Sequence, residues 1–99
     1  MMTKLRNLFL WLSFVLVPVF AQAETILVQS TTSTQNSGLY DYLLPTFQAE
    51  TGIEVRVVAV GTGQAIRNAK NGDADVLLVH AKAAEEAFVA EGWGTARAD

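Results

Sequence analysis

The chain has 99 residues, seven Lys+Arg against ten Asp+Glu, and a formal net charge of −3. That length is too short for two ordinary domains. The absence of Cys excludes a disulfide framework, a thiolate zinc site and a Cys nucleophile, and the acidic balance speaks against nucleic acid as the main partner.

Lys4 and Arg6 precede an apolar run, Leu8–Phe20, which ends at the small residues of Ala21-Gln22-Ala23. As a helix this run would rise about 20 Å, short of the roughly 30 Å hydrocarbon core of a membrane. The three-part pattern predicts a secretory signal peptide over residues 1–23, cut after Ala23, and an exported, soluble mature chain over 24–99. Without Cys at the cut, a lipoprotein is not expected. Lys4 and Arg6 leave with the leader, so residues 24–99 carry five basic and ten acidic side chains.

Past the leader, apolar runs alternate with helical patterns. Thr25 to Gln29 is β-branched and apolar and predicts a strand. Ser30 to Ser37 is rich in hydroxyls and reads as a loop. Gly38 to Thr51 carries Leu39, Leu43 and Phe47 at steps of four, with Tyr40 and Leu44 beside them, which predicts a helix with one apolar face. Pro45 should kink or restart it, and Gly52 should end it. Ile53 to Val60 predicts a second strand, Gly61-Thr62-Gly63 a tight loop, and Gln64 to Asn71 a short helix stopped by Gly72. Asp75 to His80 predicts a third strand, apolar enough for burial on both faces. Ala81 to Glu91 predicts a final helix.

The order β-α-β-α-β-α predicts a parallel sheet with right-handed crossovers and helices on its faces, so ligands should bind beyond the carboxyl ends of the strands. Ser30, Thr31, Thr32, Ser33, Thr34 and Ser37 lie at the first such end, ahead of a helix. Hydroxyls and free helix N–H groups together suit an anion without Lys or Arg. Gly61, Thr62 and Gly63 repeat the arrangement at the second end. Ordinary N-capping explains either loop alone, and the two together leave capping and anion binding both open.

Other patterns say less. Ile66 breaks a GxGxxG fingerprint after Gly61-Thr62-Gly63, and the phosphate-loop Lys is missing. His80, the single His, reads as a rim residue or an ordinary strand end. Asp73 follows Gly72 in a turn, and Glu85 with Glu86 reads as a solvated helix face. No nucleophile–base pair or acid–base couple has a recognisable spacing, so catalysis is not expected.

The segments STTSTQNSGLYDYLLPTFQAETGIEV, VVAVGTGQAI and GDADVLLVHAKAAEEAFVAEGWG resemble the extracellular tungstate-binding proteins of ABC transporters. The likeness runs from about Ile26 to Gly94. It implies an α/β fold of the type II periplasmic binding-protein class, in which two lobes hold ligand between them. Residues 24–99 would then form a three-layer half-lobe with a parallel sheet, the N-terminal part of lobe 1, with no second lobe.

The family's hydroxyl run falls on Ser30, Thr31, Thr32 and Ser33, with Ser30 replacing the usual Thr. Its G-T-G loop falls on Gly61, Thr62 and Gly63 unchanged. Asn36 stands where many relatives have Asp, and Tyr40 where Leu is usual. The resemblance thus implies ligand contacts from Thr31, Thr32, Ser33, Thr62 and Gly63. It also implies a tungstate or related oxyanion ligand, no cofactor or metal, a permease partner, a periplasmic location and a monomer. Binding of another anion, such as molybdate or phosphate, is the alternative within the same class. Relatives continue for well over a hundred further residues and include an oxyanion-contacting Arg, so a truncated remnant unable to bind is a third reading.

Overall fold

A computed structural model describes residues 24–99; the signal-peptide reading of residues 1–23 lies outside the described residues. Seven elements succeed one another: β1 (Thr25–Thr31), α1 (Thr32–Asn36), α2 (Leu39–Thr51), β2 (Glu54–Val60), α3 (Thr62–Lys70), β3 (Val76–Leu77) and α4 (Lys82–Ala90). The strands form one parallel sheet in the order β2-β1-β3. The expected α/β class and parallel sheet are therefore present.

Because β2 and β3 flank β1 on opposite sides, the two successive crossovers run in opposite directions. Right-handed connections then place their helices on opposite faces of the sheet. Adjacent residues of β1 record this, since side chains alternate between faces along a strand. Gln29 reaches α3, where its Oε1 accepts from Asn68 Nδ2 at 3.1 Å. Ser30, its neighbour, hydrogen-bonds the Tyr40 hydroxyl of α2. The result is helix, sheet, helix: the three layers that the family resemblance implies.

The central strand runs two residues beyond the expected Gln29. Ser30 and Thr31 read as loop because hydroxyl residues favour turns, but the full register of β1 against β2 extends to Thr31↔Val60. Both residues are buried: Ser30 is 0% exposed and Thr31 3%. Their polar atoms are paired, which makes that burial tolerable. Beyond them the chain enters the short helix α1, capped by Thr31, instead of an open loop.

Helix α2 starts after Gly38, whose φ of +85° turns the chain sharply out of α1, a backbone conformation that Gly adopts without a Cβ penalty. Pro45 neither splits nor restarts this helix, which runs unbroken through it. Both Pro45 and Asp41 are exposed, a setting in which water can serve a carbonyl that loses its i+4 donor to proline. Gly52 ends the helix as expected.

The expected loop Gly61-Thr62-Gly63 is tighter than a loop. Gly61 is the N-cap of α3, and Thr62 and Gly63 form its first turn. The third strand is shorter than expected: only Val76 and Leu77 pair with β1. Apolar runs do not distinguish a paired edge from one that departs after two residues. Val76 and Leu78 are also substantially exposed, contrary to the two-sided burial expected for this run. Asp75 lengthens the contact with β1, since its N–H donates to the Leu27 carbonyl at 2.8 Å and its Oδ2 accepts from Leu27 N at 2.9 Å.

Glu85 departs from the solvated-face reading. It accepts from the Ala81 backbone N–H at 2.6 Å and pairs with Arg97 Nε at 3.2 Å, its side chain only 16% exposed. It closes the start of α4 and ties the C-terminal tail to it. A hydrogen bond from Arg97 to Asp99, and then the negative charges of Asp99 and Glu85, hold the guanidinium still more firmly protonated than usual. Glu86 is exposed, as expected.

Among the described residues the buried apolar ones are few: Val28, Tyr40, Ala65 and Phe88. Gly94 lets the tail lie against Phe88, because a Cβ there would meet the Phe88 ring at 3.0 Å. Phe88→Ala should therefore cost about 3–5 kcal/mol in a denaturant titration. Tyr40→Phe, which leaves the buried Ser30 hydroxyl without its partner, should cost about 1–3 kcal/mol in the same measurement.

Candidate anion-binding rim

All strands end at one edge of the parallel sheet, and this edge gathers the hydroxyl-bearing segments. Register Thr31↔Val60 sets the end of β1 beside the end of β2. Thr32 and Ser33 therefore leave β1 next to where Gly61, Thr62 and Gly63 leave β2. Helices α1 and α3 begin at these points, so their unpaired N–H groups gather at the same rim.

The five expected ligand residues differ in availability. Thr31 is buried and its hydroxyl is already engaged. It caps α1 by accepting from Thr34 N at 3.2 Å, and lies 2.8 Å from Thr34 Oγ1 and 3.1 Å from Ser33 Oγ. Thr31 is thus the cap of α1, while its neighbours Thr32 and Ser33 stay open to solvent. Thr32 and Ser33 are exposed, Thr62 is half-buried, and Gly63 is exposed.

His80 stands at this rim, in agreement with one of its two sequence readings. It comes after β3, and its Nε2 lies 3.1 Å from Ser33 Oγ. This contact spans β1 and β3, the two strands between which the direction of the chain reverses. Open α/β sheets bind ligands at such a switch point.

Two neighbours of the rim are not evident from the sequence. Tyr40 stands out there only as a departure from the family pattern, yet its hydroxyl holds buried Ser30 directly beneath the rim. The one available signal is an aromatic residue with a polar tip at a core-facing helical position. Arg67 looks like an ordinary helix residue. Its Nη1 lies 3.4 Å from where a Gly63 Cβ would stand, and Gln64 accepts from its Nη2 at 2.9 Å. The i,i+4 spacing from Gly63 is the available cue, since it puts both on one helix face.

A separate open depression of about 550 Å³ lies between β3, α4 and the C-terminal tail, with Leu77, Phe88, Trp93 and Arg97 among its walls. None of the five expected ligand residues lines it. Among the described residues, no helix is long and apolar enough to cross a membrane.

The model of the PBP superfamily domain matches residues 18–99. The tungstate-binding protein TupA of Peptoclostridium acidaminophilum is 64% identical over 75 residues, covering 76% of this chain and 26% of that protein. Among solved structures, the tungstate-binding protein TupA of Desulfovibrio alaskensis G20 is 56% identical with a TM-score of 0.74, over 76% of this chain and 30% of that one. The tungstate ABC transporter structure from Geobacter sulfurreducens is 47% identical with a TM-score of 0.68, over 73% and 31%. This chain therefore spans only about a quarter to a third of the relatives it matches. By sequence and by the layered arrangement of its three parallel strands, the chain belongs to the PBP superfamily.

Proposed function

We propose that residues 24–99 form the N-terminal part of the first lobe of a solute-binding protein that takes up tungstate in the periplasm and passes it to an ABC permease. In this reading residues 1–23 are its export signal. The observation that carries the proposal is the meeting of Thr32, Ser33, Thr62 and Gly63 at one rim, in a chain 64% identical to a tungstate-binding protein. The role is binding and delivery, without catalysis.

The chemistry suits the ligand. Tungstate carries no proton at neutral pH, so it needs donors only. Hydroxyls at Thr32, Ser33 and Thr62 and the N–H of Gly63 provide them, with Thr31 behind Ser33. Phosphate still carries a proton and asks for an acceptor as well. Hydrogen bonds to a charged group contribute about 1.5–3 kcal/mol each, before association costs of at least about 4 kcal/mol. Four or five of them fall short of the roughly 12 kcal/mol of a nanomolar site. Further donors from a longer protein are therefore part of the proposal, and the present chain alone should bind more weakly.

Calorimetry or equilibrium dialysis of the chain against tungstate, molybdate, sulfate and phosphate tests this directly. Tungstate should bind most tightly, and Ser33→Ala or Thr62→Val should weaken it about 10- to 100-fold. Equal or tighter binding of phosphate or sulfate would remove the assignment. The division of labour at the first rim segment is separately testable by thermal denaturation. Thr31→Val, which loses the α1 cap, should cost about 1 kcal/mol of stability, whereas Ser33→Ala should stay within about 0.5 kcal/mol.

A further inference from the structure

We propose that His80 is a positioning residue of this rim: its Nε2–H donates to Ser33 Oγ and so frees the one Ser33 proton for an oxyanion. The inference rests on the anion-binding reading above and assigns a direction to each hydrogen bond around Ser33.

Each hydroxyl has one proton and two lone pairs. Ser33 Oγ has two protein neighbours, Thr31 Oγ1 at 3.1 Å and His80 Nε2 at 3.1 Å. If Ser33 gave its proton to either, only lone pairs would remain toward solvent, and lone pairs repel an anion. Ser33 can serve an oxyanion only when both neighbours donate to it.

The rest of the network permits this arrangement. Thr31 Oγ1 accepts the Thr34 backbone N–H at 3.2 Å and lies 2.8 Å from Thr34 Oγ1. With Thr34 Oγ1–H donating as well, both Thr31 lone pairs are filled. The single Thr31 proton then goes to Ser33. The second Ser33 lone pair remains for His80, which must present Nε2–H. The chain of donors runs from Thr34 to Thr31 to Ser33, joined there by His80, and ends at the exposed rim. No charge is needed, because the neutral imidazole with its proton on Nε2 is sufficient.

The chain contains a single histidine, so isotope-labelled histidine gives one unambiguous ring in a nuclear magnetic resonance experiment. The expected result is a ring that carries a proton on Nε2 and shows a through-space contact from that edge of the ring to the Ser33 β-protons. A ring protonated on Nδ1 alone, its Nε2 bare and able only to accept from Ser33, overturns the proposal. Tungstate titration supplies the second readout. His80→Ala should weaken binding about tenfold. His80→Gln, whose amide N–H reaches about as far as Nε2–H, should recover most of that loss. Equal affinity of the native protein and both variants overturns the positioning role. Failure of the native protein to bind tungstate counts against the function proposed above, and the ring tautomer still decides this inference.

Discussion

Three consecutive polar side chains are buried in the middle of the sheet, and the fold depends on each finding a partner. Gln29 is joined to the Asp73 carbonyl and to Asn68, Ser30 to Tyr40, and Thr31 to the first turn of α1. An unpaired polar group at these positions would cost about 1–3 kcal/mol, a large share of what so small a domain has. Because side chains alternate along β1, these bonds reach helices on both faces. Polar pairing thus joins layers between which, among the described residues, few apolar side chains are fully buried.

The same strand carries the site to its place. Burial of Thr31 makes it a fixed cap, and the chain emerges into solvent one residue later at Thr32. Beneath, Tyr40 and Ser30 hold the backbone. To one side the start of α3 is set by register, and to the other His80 closes against Ser33. The exposed rim therefore rests on a buried layer whose hydrogen bonds are complete, and rigid supports of this kind reduce the ordering cost when a ligand arrives.

Periodicity makes the alternation of strands and helices legible, and with it the parallel sheet and the edge where ligands belong. Legibility ends wherever tertiary context outweighs local preference. Ser30 and Thr31 look like loop residues, and they extend β1 only because β2 and α2 offer partners that are distant in the chain. Asp75 to His80 looks like a full buried strand, yet its pairing stops at Leu77. Hydrophobicity alone does not say whether a neighbour continues alongside. Glu85 looks solvated because charged helix residues usually are, and one of its two partners, Arg97, lies twelve residues further on. The hydroxyls at the rim are visible as a group in the sequence, but which of them is the cap and which is open depends on the burial of Thr31.

Parallel pairing with β1 at the centre has a consequence for the order in which the protein can form. No strand here can fold back on its neighbour through a short hairpin. Thr25 pairs with Glu54, 29 positions later, and Val28 with Val76, 48 positions later. At about 5–20 residues per second of synthesis, β1 waits roughly 1.5–6 s before the first residue of its first partner exists, and longer for the second. Loop closure on that scale is paid before any sheet contact rewards it. The nascent chain is accordingly slow to become compact, the condition in which a polypeptide can still be threaded through a narrow channel.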